Sequence, residues 1–94
     1  MSFKIVGISN YQDEVRDLVL GDALSMLWDH NNIYDPKAIK IIFDDKMIGY
    51  VPNQNIKIKD YCFNHLEQEL IVINKQSIHN KVGIRLIPKN LKKS

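Results

Sequence analysis

The residues best suited to contacting a ligand lie in one short stretch, Asn31-Asn32-Ile33-Tyr34-Asp35-Pro36. The ring of Tyr34 offers a flat face on which any nucleobase can stack, a contact worth about 1–3 kcal/mol per base. An ionised Asp35 only accepts hydrogen bonds, so it can select a sugar hydroxyl and repel a terminal phosphate. The amide of Asn32 can donate to a phosphate or bond the edge of a base.

The same stretch also has a purely structural interpretation. Asn and Asp side chains accept hydrogen bonds from nearby backbone N–H groups and so form Asx-turns. In that case Asn32 holds the loop together and Tyr34 packs inward. The residues alone leave both interpretations open.

Outside this stretch we find no spacing typical of a catalytic or metal-binding site. Cys62 and His65 are a lone pair of possible metal ligands without a second pair. Asp44-Asp45 is typical of a hairpin turn rather than of paired carboxylates, and Trp28 is expected in the core or at a barrel rim. Neither a glycine-rich phosphate loop nor a nucleophile motif occurs. The sequence therefore predicts a binding module that has no catalytic residues, metal or cofactor.

Length and charge narrow the class of protein further. A chain of 94 residues is long enough for one core and too short for two, so we expect a single domain over 1–94. Residues 1–47 carry five Lys/Arg and eight Asp/Glu, whereas residues 48–94 carry eight and three. This asymmetry favours an anionic partner, although lysines that merely keep a small domain soluble explain it equally well.

The sequence gives no sign of a membrane or secretory segment. No run approaches the roughly 18–20 apolar residues of a membrane span, and the first residues do not resemble a signal peptide. The single cysteine, Cys62, cannot form an internal disulfide. We therefore expect a cytoplasmic protein.

Hydrophobic alternation and turn residues predict the elements that position the loop. The predicted strands cover residues 3–8, 23–29, 37–43, 47–51, 70–74 and 82–87. A helix is predicted over 53–68, a polar connection over 75–81 and a frayed tail over 89–94, whereas 12–20 fits a short helix or a bridging strand. Five or six short strands with one inserted helix indicate a mainly β fold, a small β-barrel.

Three segments resemble the HIRAN family in order and spacing. The first is Lys4-Ile5-Val6-Gly7-Ile8. The second, Asn31 to Ile39, resembles the family signature Asn-Asn-Pro-Tyr-Asp-Pro-x-Ala-Ile. The third, Ile48-Gly49-Tyr50-Val51-Pro52, resembles its Gly-Tyr-Val/Ile-Pro ending. The run that contains these segments, Lys4 to Pro52, covers a little over half of the chain.

The resemblance implies a modified OB-type barrel and a ligand. HIRAN domains occur fused to remodelling ATPases and nucleases, and also alone in bacteria and phages; members on fork-remodelling ATPases, which act in DNA repair, capture the free 3′ end of single-stranded DNA. By resemblance, Asn32, Tyr34 and Asp35 occupy the binding-loop positions. An ATPase or nuclease partner would have to be a separate polypeptide, because 94 residues leave no room for one.

Four further positions enter the predicted nucleic-acid site through the resemblance. Tyr11 matches a second aromatic position that faces the binding loop, and Asn10 precedes it. Tyr50 stands where some members have a histidine, and Asn53 falls at a position that is basic in some relatives. The nearest basic side chains in the sequence are Lys37, Lys57 and Lys59.

The chain also departs from the DNA-end-binding members. Their Arg-Tyr-Tyr stretch corresponds to Ser9-Asn10-Tyr11, so that a cation and one aromatic ring are missing. This loss predicts lower affinity for DNA. It leaves two alternatives open: a protein–protein adaptor or inhibitor that kept the barrel, and an RNA binder without end preference.

Overall fold

A computed structural model describes residues 2–5 and 12–91. The described elements are β1 (Phe3–Lys4), α1 (Gln12–Arg16), β2 (Ala23–Trp28), β3 (Ile39–Phe43), β4 (Lys46–Tyr50), α2 (Ile56–Asn64), β5 (Leu70–Ile78), β6 (Lys81–Pro88) and a 3-10 turn, Lys89–Leu91.

The six described strands form one antiparallel sheet in the order β1-β6-β5-β2-β3-β4. The sheet curls into a half-barrel, and bulges between Ile41 and Ile42 and between Val72 and Asn74 shift the register where it bends. The prediction of a mainly β, OB-like fold with an inserted helix is confirmed.

Alternate residues of the strands fill the concave side of the sheet. In β2, Leu24 and Met26 are buried while Ser25 and Leu27 face outward, as a period of two requires. β3 and β6 alternate in the same way, whereas the first three residues of β5 are all buried. The core that results includes Ile39, Ile41, Leu70, Val72, Val82, Ile84 and Leu86. This core holds the ends of β2, β3 and β4 in fixed positions.

Two hairpins close with two-residue turns in which both residues have positive φ. These are Asp44-Asp45 (54° and 63°) and His79-Asn80 (51° and 64°), and such turns match the twist of the flanking strands. The predicted turn at Asp44-Asp45 is confirmed. The predicted polar connection over Lys75–Lys81 is wrong, because β5 and β6 stay paired up to Ile78 and Lys81. This ribbon is largely solvent-exposed, so its sequence lacks the apolar alternation that reveals a strand.

Helix α2 is shorter than predicted, since it covers Ile56–Asn64 rather than 53–68. The side chain of Asn55 caps it by accepting a hydrogen bond from the Ile58 N–H at 3.2 Å. Ile58 and Cys62, four residues apart, are the buried pair. Burial raises the pKa of the Cys62 thiol to about 11, so that Cys62 serves as a small apolar residue at neutral pH.

The ambiguous segment 12–20 begins with the short helix α1, which adds a second helix to the single one predicted. The side-chain amide of Gln12 bonds the backbone of β6: its Oε1 accepts from the Val82 N–H at 2.7 Å and its Nε2 donates to the Val82 carbonyl at 3.1 Å. Val15 and Leu18 are buried beneath it. Helix α1 thus covers the start of β6.

The end of the described chain packs back onto the start of β5. The Lys89 N–H donates to the Glu69 carbonyl at 2.8 Å, and the Lys89 ammonium lies 3.6 Å from the Glu69 carboxylate. Residues 92–94 lie outside the described residues. The frayed tail over 89–94 and the single domain over 1–94 stay predictions.

Candidate functional site

The five described candidate residues lie together in one cleft of about 330 Å³, the loop cleft. Its lining residues are Asn32, Tyr34, Asp35, Ala38, Tyr50, Val51, Asn53 and Gln54. One wall comes from the connection between β2 and β3, and the other from the end of β4 and the residues after it. Asn10 and Tyr11 lie outside the described residues, so their place in the site stays a prediction.

Strand pairing brings the two walls together. The Asp29 N–H donates to the Ala38 carbonyl at 2.8 Å, which closes the base of the β2–β3 loop. The Val51 N–H donates to the Ile39 carbonyl at 3.1 Å, which extends the β3–β4 pairing past the end of β4. Residues far apart in sequence, such as Asp29 and Tyr50, thereby come together at the cleft.

Asn32 holds the loop in shape. Its side-chain oxygen accepts hydrogen bonds from the backbone N–H groups of Tyr34 at 2.9 Å and Asp35 at 3.0 Å. Asp35 repeats the pattern, since its Oδ1 accepts from the Lys37 N–H at 3.0 Å. The loop is therefore a nested Asx-turn, as the structural interpretation predicted.

Tyr34, however, does not pack inward. It is 91% exposed, although the backbone on both sides of it is fixed by the Asn32 side chain and by the ordered loop. Inward packing of this ring was one of the two interpretations, and that part is wrong. The loop therefore presents an aromatic face to solvent at a defined position on the rim of the cleft.

Asp29 joins the two walls and was not singled out by the sequence. Its Oδ2 accepts a hydrogen bond from the Tyr50 hydroxyl at 3.2 Å and lies 3.5 Å from the Asn32 amide nitrogen. Its Oδ1 lies 3.8 Å from the Lys40 ammonium, and the side chain is only 14% exposed. The only sequence signal was a carboxylate at the end of a strand, where a turn residue is equally common, so the cross-strand role of Asp29 was missed.

Lys59 of α2 reaches the cleft and contacts Asp35 and Asn53 through its ammonium group. The hydrogen bond from Lys59, with a second from the Lys37 N–H, lowers the pKa of Asp35 below its ordinary value. The carboxylate is thus kept ionised while its charge is balanced. Lys59 offsets part of the repulsion between Asp35 and a terminal phosphate, and the selection of a sugar hydroxyl by Asp35 stays a prediction.

The other two lysines that the sequence offered lie elsewhere. The ammonium of Lys37 lies 5.5 Å from the centre of the Phe63 ring. The Trp28 ring meets Phe63 edge-on at 5.7 Å, and the Trp28 N–H donates to the Pro36 carbonyl at 2.9 Å. Trp28 therefore lies at the rim, which is one of the two positions predicted for it. Its hydrogen bond to Pro36 holds the end of the loop that leads into β3.

A second, more open depression adjoins the loop cleft and is called the basic groove here. It has a volume of about 560 Å³ and is lined by Ser2, Phe3, Lys4, Pro52, Gln54, Asn55, Ile56, Lys57 and Arg85. Lys57 was a sequence candidate. Lys4 and Arg85 were missed, because 80 positions separate them and only the pairing of β1 with β6 joins them.

Residues 2–5 and 12–91 contain neither a cluster of metal ligands nor a helix that could span a membrane. In this part of the chain no three His, Cys, Asp or Glu side chains gather as metal ligands would. Neither of its α-helices has the length and apolar character to cross a membrane.

Comparison with known proteins gives one match. The family model of the HIRAN domain matches residues 1–86 of the 94-residue chain. No curated protein and no solved structure matches the chain.

Proposed function

Because the chain belongs to the HIRAN family, whose domains are nucleic-acid-binding modules, we propose that its loop cleft captures the 3′-hydroxyl end of single-stranded DNA. The observation that carries this proposal is the exposed ring of Tyr34 beside the ionised Asp35 in one cleft. In the proposal the module acts by binding alone, without catalysis or a cofactor.

The size of the cleft supports a terminal nucleotide as its occupant. Its 330 Å³ falls at the lower end of the range of about 300–1,000 Å³ typical of small-molecule pockets. A base in single-stranded DNA is unpaired and can stack on Tyr34, whereas a base inside a duplex is already stacked and paired. Stacking therefore requires a single strand, and contact with a 3′-hydroxyl requires its free end.

The polar groups of the cleft suit the two ends of a terminal sugar. A 3′-hydroxyl can donate to Asp35, which as a carboxylate only accepts. The ammonium of Lys59, next to Asp35 and Asn53, can contact the phosphodiester on the 5′ side of the same nucleotide. Without a ligand, Asp35 and Lys59 balance each other's charge. When a strand binds, the hydroxyl and the phosphate each gain a polar partner from this pair.

Exposed apolar side chains near the cleft support the alternative of a protein partner. Leu27, Trp28 and Ile33 are all exposed on or next to the β2–β3 loop. In the adaptor or inhibitor hypothesis this surface, rather than the cleft, is the contact. We also propose that the partner is a separate ATPase or nuclease, that the pathway is DNA repair and that the protein is cytoplasmic.

Fluorescence anisotropy with short labelled strands tests the main proposal. The strands end in a 3′-hydroxyl, in a 3′-phosphate or in a hairpin that buries the 3′ end, and a fourth strand is RNA. We expect tightest binding to the free 3′-hydroxyl of DNA. The RNA strand tests the third alternative, since the 2′-hydroxyl distinguishes the two nucleic acids.

Asp35→Asn is the decisive variant. It leaves Lys59 without its counter-charge, so we expect about tenfold weaker binding to the 3′-hydroxyl strand and a relative gain for the 3′-phosphate strand. Asp60→Asn, on the exposed face of α2, makes the same charge change away from the cleft and is the control. Equal, salt-sensitive binding of all strands by wild type and Asp35→Asn would sink end recognition, and no binding at all would favour the protein partner.

A further inference from the structure

We propose that the basic groove carries the phosphates of the DNA strand onward from the loop cleft, so that the module binds several nucleotides behind the captured end. This inference rests on the proposed function, because the strand must enter the groove from the cleft.

The two depressions are continuous along one segment of the chain. Gln54 lines both of them, and the residues on either side of it divide between them: Asn53 faces the loop cleft, and Asn55 faces the basic groove. A strand whose last nucleotide occupies the cleft therefore meets the groove next.

The lining of the groove carries three cations and no carboxylate: Lys4, Lys57 and Arg85. Lys4 and Arg85 are direct partners in the antiparallel pairing of β1 with β6, so that two like charges stand opposite each other on one face. Such a pair is unfavourable unless an anion lies between the charges. The phosphodiester backbone supplies an anion at every nucleotide.

These cations also have no acidic partner within the described part of the chain. The ion pairs there involve Arg16, Lys40, Lys59 and Lys89. The Arg85 guanidinium instead bonds the Ser2 hydroxyl at 3.1 Å, which orients it at the groove while leaving its charge uncompensated. Three cations that share one depression with no carboxylate in its lining are typical of a polyanion site.

One apolar residue completes the groove. Ile56 is 70% exposed at the start of α2, between the polar residues Asn55 and Lys57. An exposed aliphatic side chain beside a row of cations suits a strand, since the sugar or base edge can lie on it while the phosphates face the cations. An acidic peptide would use the cations and leave Ile56 uncovered.

Strand length is the variable that tests the groove. A thymidine dinucleotide with a free 3′-hydroxyl reaches only the cleft, whereas an oligomer of about eight thymidines reaches both. We expect the oligomer to bind about tenfold more tightly, with a salt slope of log K near about −2 if each of three contacts contributes about −0.7. A dinucleotide that binds as tightly as the oligomer overturns the inference.

The double variant Lys57→Gln/Arg85→Gln assigns the gain to the groove. We expect it to lower the affinity for the oligomer about tenfold and to reduce the salt slope by about 1.4, with the dinucleotide unchanged within about twofold. Lys46→Gln/Lys81→Gln removes the same charge from exposed positions outside both depressions and should leave the oligomer slope unchanged. Equal loss in both double variants overturns the groove in favour of overall charge.

Two further experiments distinguish binding in the groove from a folding defect and from binding of any polyanion. Lys57→Gln alone changes an exposed helix residue and should remove about half of the effect even if Arg85→Gln disturbs the β1–β6 pairing. Unlabelled oligomer should displace the labelled strand and polyglutamate should not; displacement by both overturns the assignment to nucleic acid. If the oligomer binds through the groove while Tyr34→Ala changes nothing, end capture fails and the groove stands. Without oligonucleotide binding at any length, both fail.

Discussion

The loop cleft and the basic groove lie side by side and treat charge in opposite ways. In the cleft each described carboxylate has a cation beside it: Asp35 has Lys59, and Asp29 has Lys40. In the groove the cations stand together without a carboxylate. Balanced, hydrogen-bonded groups can read the chemistry of a ligand, whereas unbalanced cations attract any phosphate chain. In the proposed function, specificity and attraction therefore belong to different surfaces of one small sheet.

The two regions also share a structural device. Asn32 in the cleft and Asn55 at the groove each use the side-chain oxygen to accept backbone N–H groups, Asn32 in the loop and Asn55 at the start of α2. Both asparagines line a depression and both are committed to the backbone. An asparagine at a surface site is therefore no evidence of ligand contact until the partners of its oxygen are known.

The largest expected effect on DNA binding comes from Tyr34, the aromatic side chain of the loop cleft, compared with Ile56, the aliphatic side chain of the basic groove. Tyr34→Ala should weaken binding of a 3′-hydroxyl strand by about 1–3 kcal/mol, because it removes the stacking face. Since Tyr34 is 91% exposed, this substitution should change the unfolding free energy of the protein by less than about 0.5 kcal/mol. Anisotropy and urea unfolding measure the two quantities.

Ile56→Ala and Tyr34→Phe are the matched variants for that comparison. Ile56→Ala should weaken binding by less than about threefold, because it removes only an apolar support. Tyr34→Phe should bind almost as wild type does, because the stacking face remains. A larger loss from Ile56→Ala than from Tyr34→Ala would reverse the roles assigned to the two regions.

The next effect compares the two asparagines. Asn32→Ala and Asn55→Ala should each lower the unfolding free energy by about 1 kcal/mol, since each leaves backbone N–H groups without their acceptor. Asn32→Ala should also weaken DNA binding severalfold, because Tyr34 and Asp35 lose their fixed positions. Under conditions in which both variants are folded, Asn55→Ala should weaken DNA binding less than Asn32→Ala does. Equal effects on binding would mean that the order of the loop is not needed for recognition.

The smallest effect concerns the charge pair in the cleft. Lys59 lowers the pKa of Asp35 below the ordinary 3.8, so the ionised carboxylate stabilises the fold above that pH, and the contribution is lost as pH falls through the lowered pKa. Lys59→Met should therefore reduce stability by no more than about 1 kcal/mol at pH 7. The difference from wild type should shrink in acid.

Urea unfolding at neutral and strongly acidic pH measures that difference. Lys57→Met, in the same helix but without a carboxylate partner, is the control and should show no pH-dependent difference from wild type. A Lys59→Met difference that stays constant as Asp35 protonates would show that packing, rather than the charge pair, stabilises this wall.

The loop from Asn31 to Pro36 was predictable in type and position because its evidence is local. Asn32, Tyr34 and Asp35 lie within four residues, and Asx-turn chemistry acts over two or three residues. The turn at Asp44-Asp45 was predictable for the same reason. The exposure of Tyr34 was not, because whether a ring turns inward depends on the space left by β3 and β4.

Helix α2 and the β5–β6 ribbon show where local evidence failed. The helix was predicted over 53–68, but the cap at Asn55 starts it at Ile56, and Ile58 and Cys62 are its buried residues. The ribbon continues through a polar segment because backbone hydrogen bonds between strands need no apolar side chains. In both cases the partner element decided the outcome.

The sequence by itself determined the strand alternation, the turns, the nested Asx loop and the membership of the HIRAN family, because each depends on neighbours within a few residues or on ordered motifs. Only the tertiary structure decided that Lys59 balances Asp35, that Asp29 bonds Tyr50 across the sheet, and that Lys4 stands opposite Arg85. The physical reason is that charge–charge and cross-strand contacts depend on distance in space. The pairing register of the curled sheet sets that distance, and a short segment of sequence does not predict the register.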